Sequence, residues 1–179
     1  MPRIHVLGAS GSGTSTLGQA VAARLECPHH DTDDFLWVAS DPPYQRTRPM
    51  PDRLHRLHAE LVRSRDWVLS GSLVGWGNTL VPLFDLVVFI TLDPALRMAR
   101  LRAREQARYG ARIGPGGDMA ADHAMFMGWA EAYDTAGPDQ RSRVLHDAWL
   151  AALPCPVLRL DSAAEPADLA AAVLDRLPG

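Results

Sequence analysis

The sequence contains no lysine: its 18 basic side chains are all arginine, set against 21 acidic ones for a net charge of −3 over 179 residues. Any contact between a cationic side chain and a phosphate must therefore use a guanidinium, a planar fork of donors rather than a mobile point charge. The slight acidic excess offers no broad basic face, so neither nucleic acid nor a membrane surface is expected as a partner. Cysteine is scarce. Cys27 and Cys155 stand far apart without metal-ligand spacing, which predicts a reduced cytoplasmic protein with two buried thiols and no disulfide. No stretch approaches the roughly 18 apolar residues of a membrane span, and no charged N-terminal region leads into a long apolar run. Repeats and low-complexity tracts are missing too. What is present is 47% hydrophobic residues, enough for one packed domain over residues 1–179.

Strand and helix patterns alternate along the chain. Arg3 to Leu7 is a short apolar-rich run ended by glycine, and Leu17, Ala20, Val21 and Leu25 then recur at helical spacing. A second segment ends in Asp31-Thr32-Asp33-Asp34, and a loop with Pro42, Pro43, Pro49 and Pro51 leads to a helix carrying Leu54, Leu57, Leu61 and Val62. Trp67-Val68-Leu69 reads as a third strand. The continuous apolar run within Asp85 to Leu92 suits a strand buried on both faces, and Asp93-Pro94 starts a helix that extends to about Tyr109. Glycines at 110, 114, 116 and 117 form a segment that predicts mobility, before helices around Asp122 to Tyr133 and Asp139 to Leu153. Pro156 to Leu160 gives a fifth strand, and a terminal helix carries Leu169, Val173, Leu174 and Leu177. The alternation predicts an α/β fold: a five-stranded parallel sheet with helices on both faces and the ligand at the carboxyl ends of the strands.

The chemistry concentrates first in Gly8-Ala9-Ser10-Gly11-Ser12-Gly13-Thr14-Ser15, which follows a strand and opens a helix. That context turns a glycine pattern into a phosphate-loop prediction, because glycines let the backbone approach a phosphate while successive N–H groups and the helix N-terminus supply a fixed positive field. Gly8, Ala9, Ser10, Gly11, Ser12, Gly13, Thr14, Ser15 and Thr16 are the expected nucleotide contacts, with the Ser15 hydroxyl on Mg²⁺. A glycine-rich turn without a ligand is the plain alternative. A dinucleotide fingerprint fits less well, since glycines at 8, 11 and 13 do not follow its spacing.

Gly8-x-x-Gly11-x-Gly13-Thr14-Ser15, Asp31-Thr32-Asp33 after the second strand and Arg100-Leu101-x-x-Arg104 after the fourth together resemble the nucleoside/nucleotide kinase group that contains adenylate and shikimate kinases. The resemblance spans nearly the whole chain. It implies a three-layer P-loop fold, ATP and Mg²⁺ as ligands, and a lid-type insertion after strand four at about 105–143. It further implies that Asp31 helps hold the metal through water, that Asp33 binds or activates an acceptor hydroxyl with Asp34 beside it, and that Arg104 and Arg141 meet phosphates, Arg104 also contacting the nucleotide. Residues 161–166 lie where such kinases hold a base. The physical logic is that phosphoryl transfer needs positioning and charge neutralisation more than covalent chemistry. Helix capping is the competing role for the aspartates. The remaining arginines, Arg97, Arg102, Arg108 and Arg112 among them, read as a solvated, arginine-rich stretch.

Two departures stand out. Thr14 occupies the place of the phosphate-loop lysine, and Ser70 in Leu69-Ser70-Gly71-Ser72 the place where nucleotide kinases show an aspartate. A charged hydrogen bond contributes about 1.5–3 kcal/mol against ~1 kcal/mol for each neutral one, so binding survives the loss more readily than catalysis. The expected function is an ATP-dependent kinase of a small molecule, whether nucleoside, nucleotide or hydroxylated metabolite. A catalytically weak or inactive nucleotide-binding protein is the alternative, and a DNA-associated P-loop protein a third class that the acidic charge disfavours. Trp37, Tyr44, Trp76, Phe126 and Trp129 are expected to line an acceptor pocket or the core. His29, His30 and His123 lack metal spacing.

Overall fold

The apolar run after Asp85 becomes the buried strand its sequence predicts, and the sheet is assembled around it and the first strand. In the computed structural model, which describes residues 2–177, the strands are β1 (Arg3–Gly8), β2 (His29–Asp31), β3 (Trp67–Ser70), β4 (Leu86–Thr91) and β5 (Val157–Asp161). All pair in parallel in the order β2-β3-β1-β4-β5. The helices are α1 (Thr14–Leu25), α2 (Thr32–Leu36), α3 (Met50–Leu61), α4 (Pro94–Tyr109), α5 (Ala120–Glu131), α6 (Arg143–Ala151) and α7 (Pro166–Leu174).

Strand alternation sorts the core into two layers. Ile4, Val6, Val88 and Ile90 pack against Leu17 and Val21 of α1 and Leu169 and Val173 of α7. On the other side Leu7, Leu69, Val87 and Phe89 pack against Leu57 and Leu61 of α3 and Leu150 of α6. A third cluster, Met98 and Leu101 of α4 with Ala130 of α5, attaches the segment after α4 to the body. The chain leaves β1 toward β2 on one side and leaves β4 toward β5 on the other. The connections therefore part between β1 and β4, where a parallel sheet opens its binding crevice.

Several local expectations change. The chain after Asp31 does not run straight into a loop: the Asp31 carboxylate accepts from the Asp33 amide at 3.0 Å and caps the short α2. A 3-10 turn over Asn78–Leu83 was not legible in the sequence. The helix expected from Asp139 starts only at Arg143, because the Ser142 hydroxyl accepts from the Leu145 amide at 3.2 Å and sets the N-terminus there. Cys27 and Cys155 are free but half-buried rather than buried. No described helix is long and apolar enough to cross a membrane.

Candidate functional site

β1 ends at Gly8, and the chain closes a loop in which the Ser12 amide and hydroxyl both donate to the Ala9 carbonyl, at 3.1 and 2.8 Å. Gly11 takes φ 87°, and a Cβ there would sit 2.8 Å from the Arg97 carbonyl oxygen, so a side chain is excluded on both counts. The amides of Ser10, Gly11, Gly13, Thr14, Ser15 and Thr16 find no backbone or side-chain acceptor among the described residues. These residues line the cleft rather than the core, and a run of amides left free at a loop and helix N-terminus open to a cleft is an anion cradle.

Beside this cradle the Ser15 hydroxyl donates to Asp31 Oδ2 at 2.6 Å while Asp31 Oδ1 accepts from the Asp33 amide at 3.0 Å. Capping and site geometry are thus two uses of one carboxylate. Its position is fixed from β3 as well: Gly71, at φ 103°, has the Thr32 hydroxyl where its own Cβ would be, which presses the Asp31-Thr32-Asp33 turn against the end of β3. Ser70, in the place of an expected carboxylate, is engaged. It donates to the Thr14 carbonyl at 3.1 Å and therefore accepts from His29 Nε2 at 2.9 Å, which places a proton on that nitrogen. This is a role for His29 that its sequence spacing did not reveal.

The loop, Asp31, Asp33, Arg104 and Arg141 all line one cleft of about 1400 Å³, together with residues 162–166. Asp33 meets the water in the cleft, yet the walls around it push its pKa up, the neighbouring Asp31 adds to this, and Arg141 and Arg104 oppose it. Arg141 lies over the Trp129 ring at 4.7 Å, and burial lowers its pKa against the pull of Asp33. Arg104 lends Nε and Nη2 to Glu105 Oε1 at 3.1 and 2.9 Å. Arg100 donates to the Ser162 carbonyl at 3.0 Å. Arg143, by contrast, turns to Asp147 at 2.9 Å and is not part of the cleft wall.

Trp37, Tyr44, Trp76, Phe126 and Trp129 line the same cleft. Arg53 and Tyr109, to which the sequence pattern assigns no role, and Arg108, expected only as a solvated arginine, line the wall as well. Arg53 lies over the Trp76 ring at 5.3 Å, and neither it nor Arg141 has a carboxylate salt-bridge partner among the described residues. For Arg108 a signal existed: Arg97, Arg100, Arg104 and Arg108 recur at the spacing of one helical face. Arg97 departs from the expectation of a solvated stretch, with a side chain only 1% exposed, whereas Arg102 and Arg108 are exposed as expected.

Mg²⁺ takes oxygen ligands, usually one or two from protein and the rest from phosphates and water. The Ser15 and Asp31 oxygens at the mouth of the amide cradle match that donor set. No group of three or more His, Cys, Asp and Glu side chains suited to a metal ion occurs among the described residues.

No family model matches the sequence. The uncharacterized protein YqaC of Bacillus subtilis (strain 168) is 44% identical over 158 residues, covering 88% of this chain and 87% of that protein. Among solved structures, a gluconokinase from Sinorhizobium meliloti 1021 superposes with TM-score 0.53 at 19% identity, over 98% of this chain and 92% of that one. A shikimate kinase from Bacteroides thetaiotaomicron gives 0.52 at 15% identity, over 97% and 96%. A sugar kinase from Janibacter sp. HTCC2649 gives 0.51 at 15%, over 98% and 93%. At these identities the likeness establishes the fold alone, a five-stranded parallel α/β fold shared with these three structures.

Proposed function

The chain belongs to the family of the Bacillus subtilis protein YqaC, and we propose that it is an ATP-dependent kinase of a small hydroxylated molecule. One observation carries this reading: the Ser15–Asp31 pair stands at the mouth of a cradle of unpaired amides, in a cleft that also holds Asp33 and Arg141. In the proposed arrangement the cradle binds the triphosphate, and residues 162–166 border the base. Ser15 and Asp31 hold Mg²⁺, which when bound neutralises phosphate charge. Asp33 orients the acceptor hydroxyl and takes its proton as the acceptor oxygen bonds to the γ-phosphorus and the bond to the β-phosphate oxygen breaks, releasing ADP. Arg104 and Arg141 balance charge on the transferring group, a role in which an arginine supplies ~10³–10⁵ in rate. Arg53 and Arg141, lying over the rings of Trp76 and Trp129 without carboxylate partners among the described residues, favour an acceptor that carries a negative group. A single domain with a lid over about 105–143 is part of the same reading.

Thr14 and Ser70 motivate the second reading, a nucleotide-binding protein without efficient chemistry. Ser70 is committed to the Thr14 carbonyl and His29 rather than open to a metal. The test is a thermal shift with Mg·ATP, alone and combined with gluconate, shikimate, nucleosides and nucleoside monophosphates, followed by an ADP-release assay on any acceptor that adds to the shift. A ligand at about one hundred times its Kd stabilises by roughly 2.7 kcal/mol, a shift of several degrees. No shift with any nucleotide sinks both readings. ATP binding without ADP release, restored in Thr14→Lys, favours the second.

A further inference from the structure

Arg97 enters from the first turn of α4 behind the phosphate loop and does not reach the cleft. Its Nη1 donates to the Ser10 carbonyl at 3.2 Å and the Ala130 carbonyl at 3.0 Å, and its Nη2 to Asp134 Oδ2 at 3.0 Å. The guanidinium carbon lies 5.4 Å from the centre of the Tyr133 ring. Its own carbonyl is the oxygen that forbids a side chain at Gly11. A cation at 1% exposure, matched by a carboxylate at 29%, carries a desolvation cost that an apolar side chain of similar length would avoid.

The Ser10 carbonyl and the Gly11 amide belong to one peptide unit. Donation to the carbonyl draws electron density away from the N–H, so a cation behind that peptide strengthens the donor it presents elsewhere. The Gly11 amide is one of those left without an acceptor among the described residues. The loop has threonine where a lysine would bring a cation to the phosphates. We infer that Arg97 is a positioning residue for the nucleotide. It fixes and polarises the Ser10–Gly11 peptide and supplies from behind the loop part of the positive field that Thr14 does not supply. Through Ala130 and Asp134 it ties the loop to the segment that follows α4. The inference rests on the reading of the loop as a nucleotide site.

Titration calorimetry with Mg·ADP, well below each variant's unfolding midpoint, tests it. Arg97→Met is expected to weaken ADP binding about three- to tenfold, through the lost field and the less polarised Gly11 donor, and Arg97→Lys to recover part of this. Asp134→Asn keeps the guanidinium bonds to both carbonyls but removes the compensating charge. It is expected to lower the midpoint while tightening ADP binding about two- to threefold, a change of opposite sign that a purely structural brace does not produce. If wild type binds no Mg·ADP at millimolar concentration, the nucleotide reading falls and this inference with it. If wild type binds and Arg97→Met binds equally well, the inference alone falls. If Arg97→Met does not fold, Asp134→Asn decides: unchanged or weakened ADP binding overturns the role of the buried charge.

Discussion

Ser15 gives its hydroxyl hydrogen to Asp31 Oδ2 at 2.6 Å, joining the first turn of α1 to the end of β2 across the sheet. The other Asp31 oxygen caps α2, so the same carboxylate sets the direction in which Asp33 leaves the strand. Asn caps a helix about as well as Asp. Asp31→Asn is therefore expected to keep the fold, with a midpoint within a few degrees of wild type, while the gain in ADP affinity on adding Mg²⁺ falls by about tenfold or more. Calorimetry with and without Mg²⁺ measures that gain directly.

Arg141 is held by an aromatic face rather than an acid, at 4.7 Å from the Trp129 ring. Burial works against its charge and Asp33 for it, so removing the cation does not strand a hydrogen-bonded partner. Arg141→Met is expected to leave the unfolding midpoint unchanged or raise it slightly. Phosphoryl transfer to any acceptor that the thermal-shift screen finds should fall by ~10³ or more. An unfolding curve and a turnover assay on the same preparation separate the two effects, and a loss of stability in step with activity would contradict this account.

Gly71 is replaceable neither in conformation nor in space, since its φ is 103° and the Thr32 hydroxyl fills the position of a Cβ. Gly71→Ala is expected to destabilise by about 1–3 kcal/mol from the backbone alone. Adding Thr32→Ala should recover the steric part and leave the conformational part, giving a non-additive double-mutant cycle in urea.

His5 makes stability depend on acid. It is fully buried, stacked 5.0 Å from Phe84, with Nδ1 on the Leu69 carbonyl and Nε2 without a partner among the described residues. Burial lowers its pKa from 6.5 to about 4. Between these values the unfolded chain binds a proton that the folded chain refuses. The stabilisation is complete above pH 6.5 and is lost as pH falls toward 4. His5 alone should remove on the order of 2 kcal/mol between pH 7 and pH 5. His146, between Ser72 and Tyr133 and pushed to about 3 by burial, adds a loss of the same sign. Urea denaturation at both pH values checks this, and His5→Leu is expected to flatten the slope.

The sequence by itself determined the order of the five strands and the long helices, but not the short α2 or the 3-10 turn over Asn78–Leu83. A six-residue apolar run rich in β-branched residues, such as residues 86–91, is short for a buried helix and suits a strand buried on both faces, and Asp93-Pro94 is a strong helix start, so α4 runs from Pro94 to Tyr109 as its pattern predicts. The phosphate loop was legible for the same reason: glycine spacing between a strand and a helix is a local property. Tertiary structure decided which long-range partner each polar group found. Helical spacing puts Arg97 on one face with Arg104, but nothing local tells that Arg97 is 1% exposed and Arg104 39%; the difference arises when α5 and the turn after it cover one end of that face. Likewise Ser70 reads as a missing carboxylate until the parallel pairing of β2 with β3 brings His29 within 2.9 Å of it. Local patterns fix what each segment becomes, because backbone hydrogen bonding and burial act over a few residues. The electrostatics of the cleft depend on side chains from distant segments meeting, and only packing sets those distances.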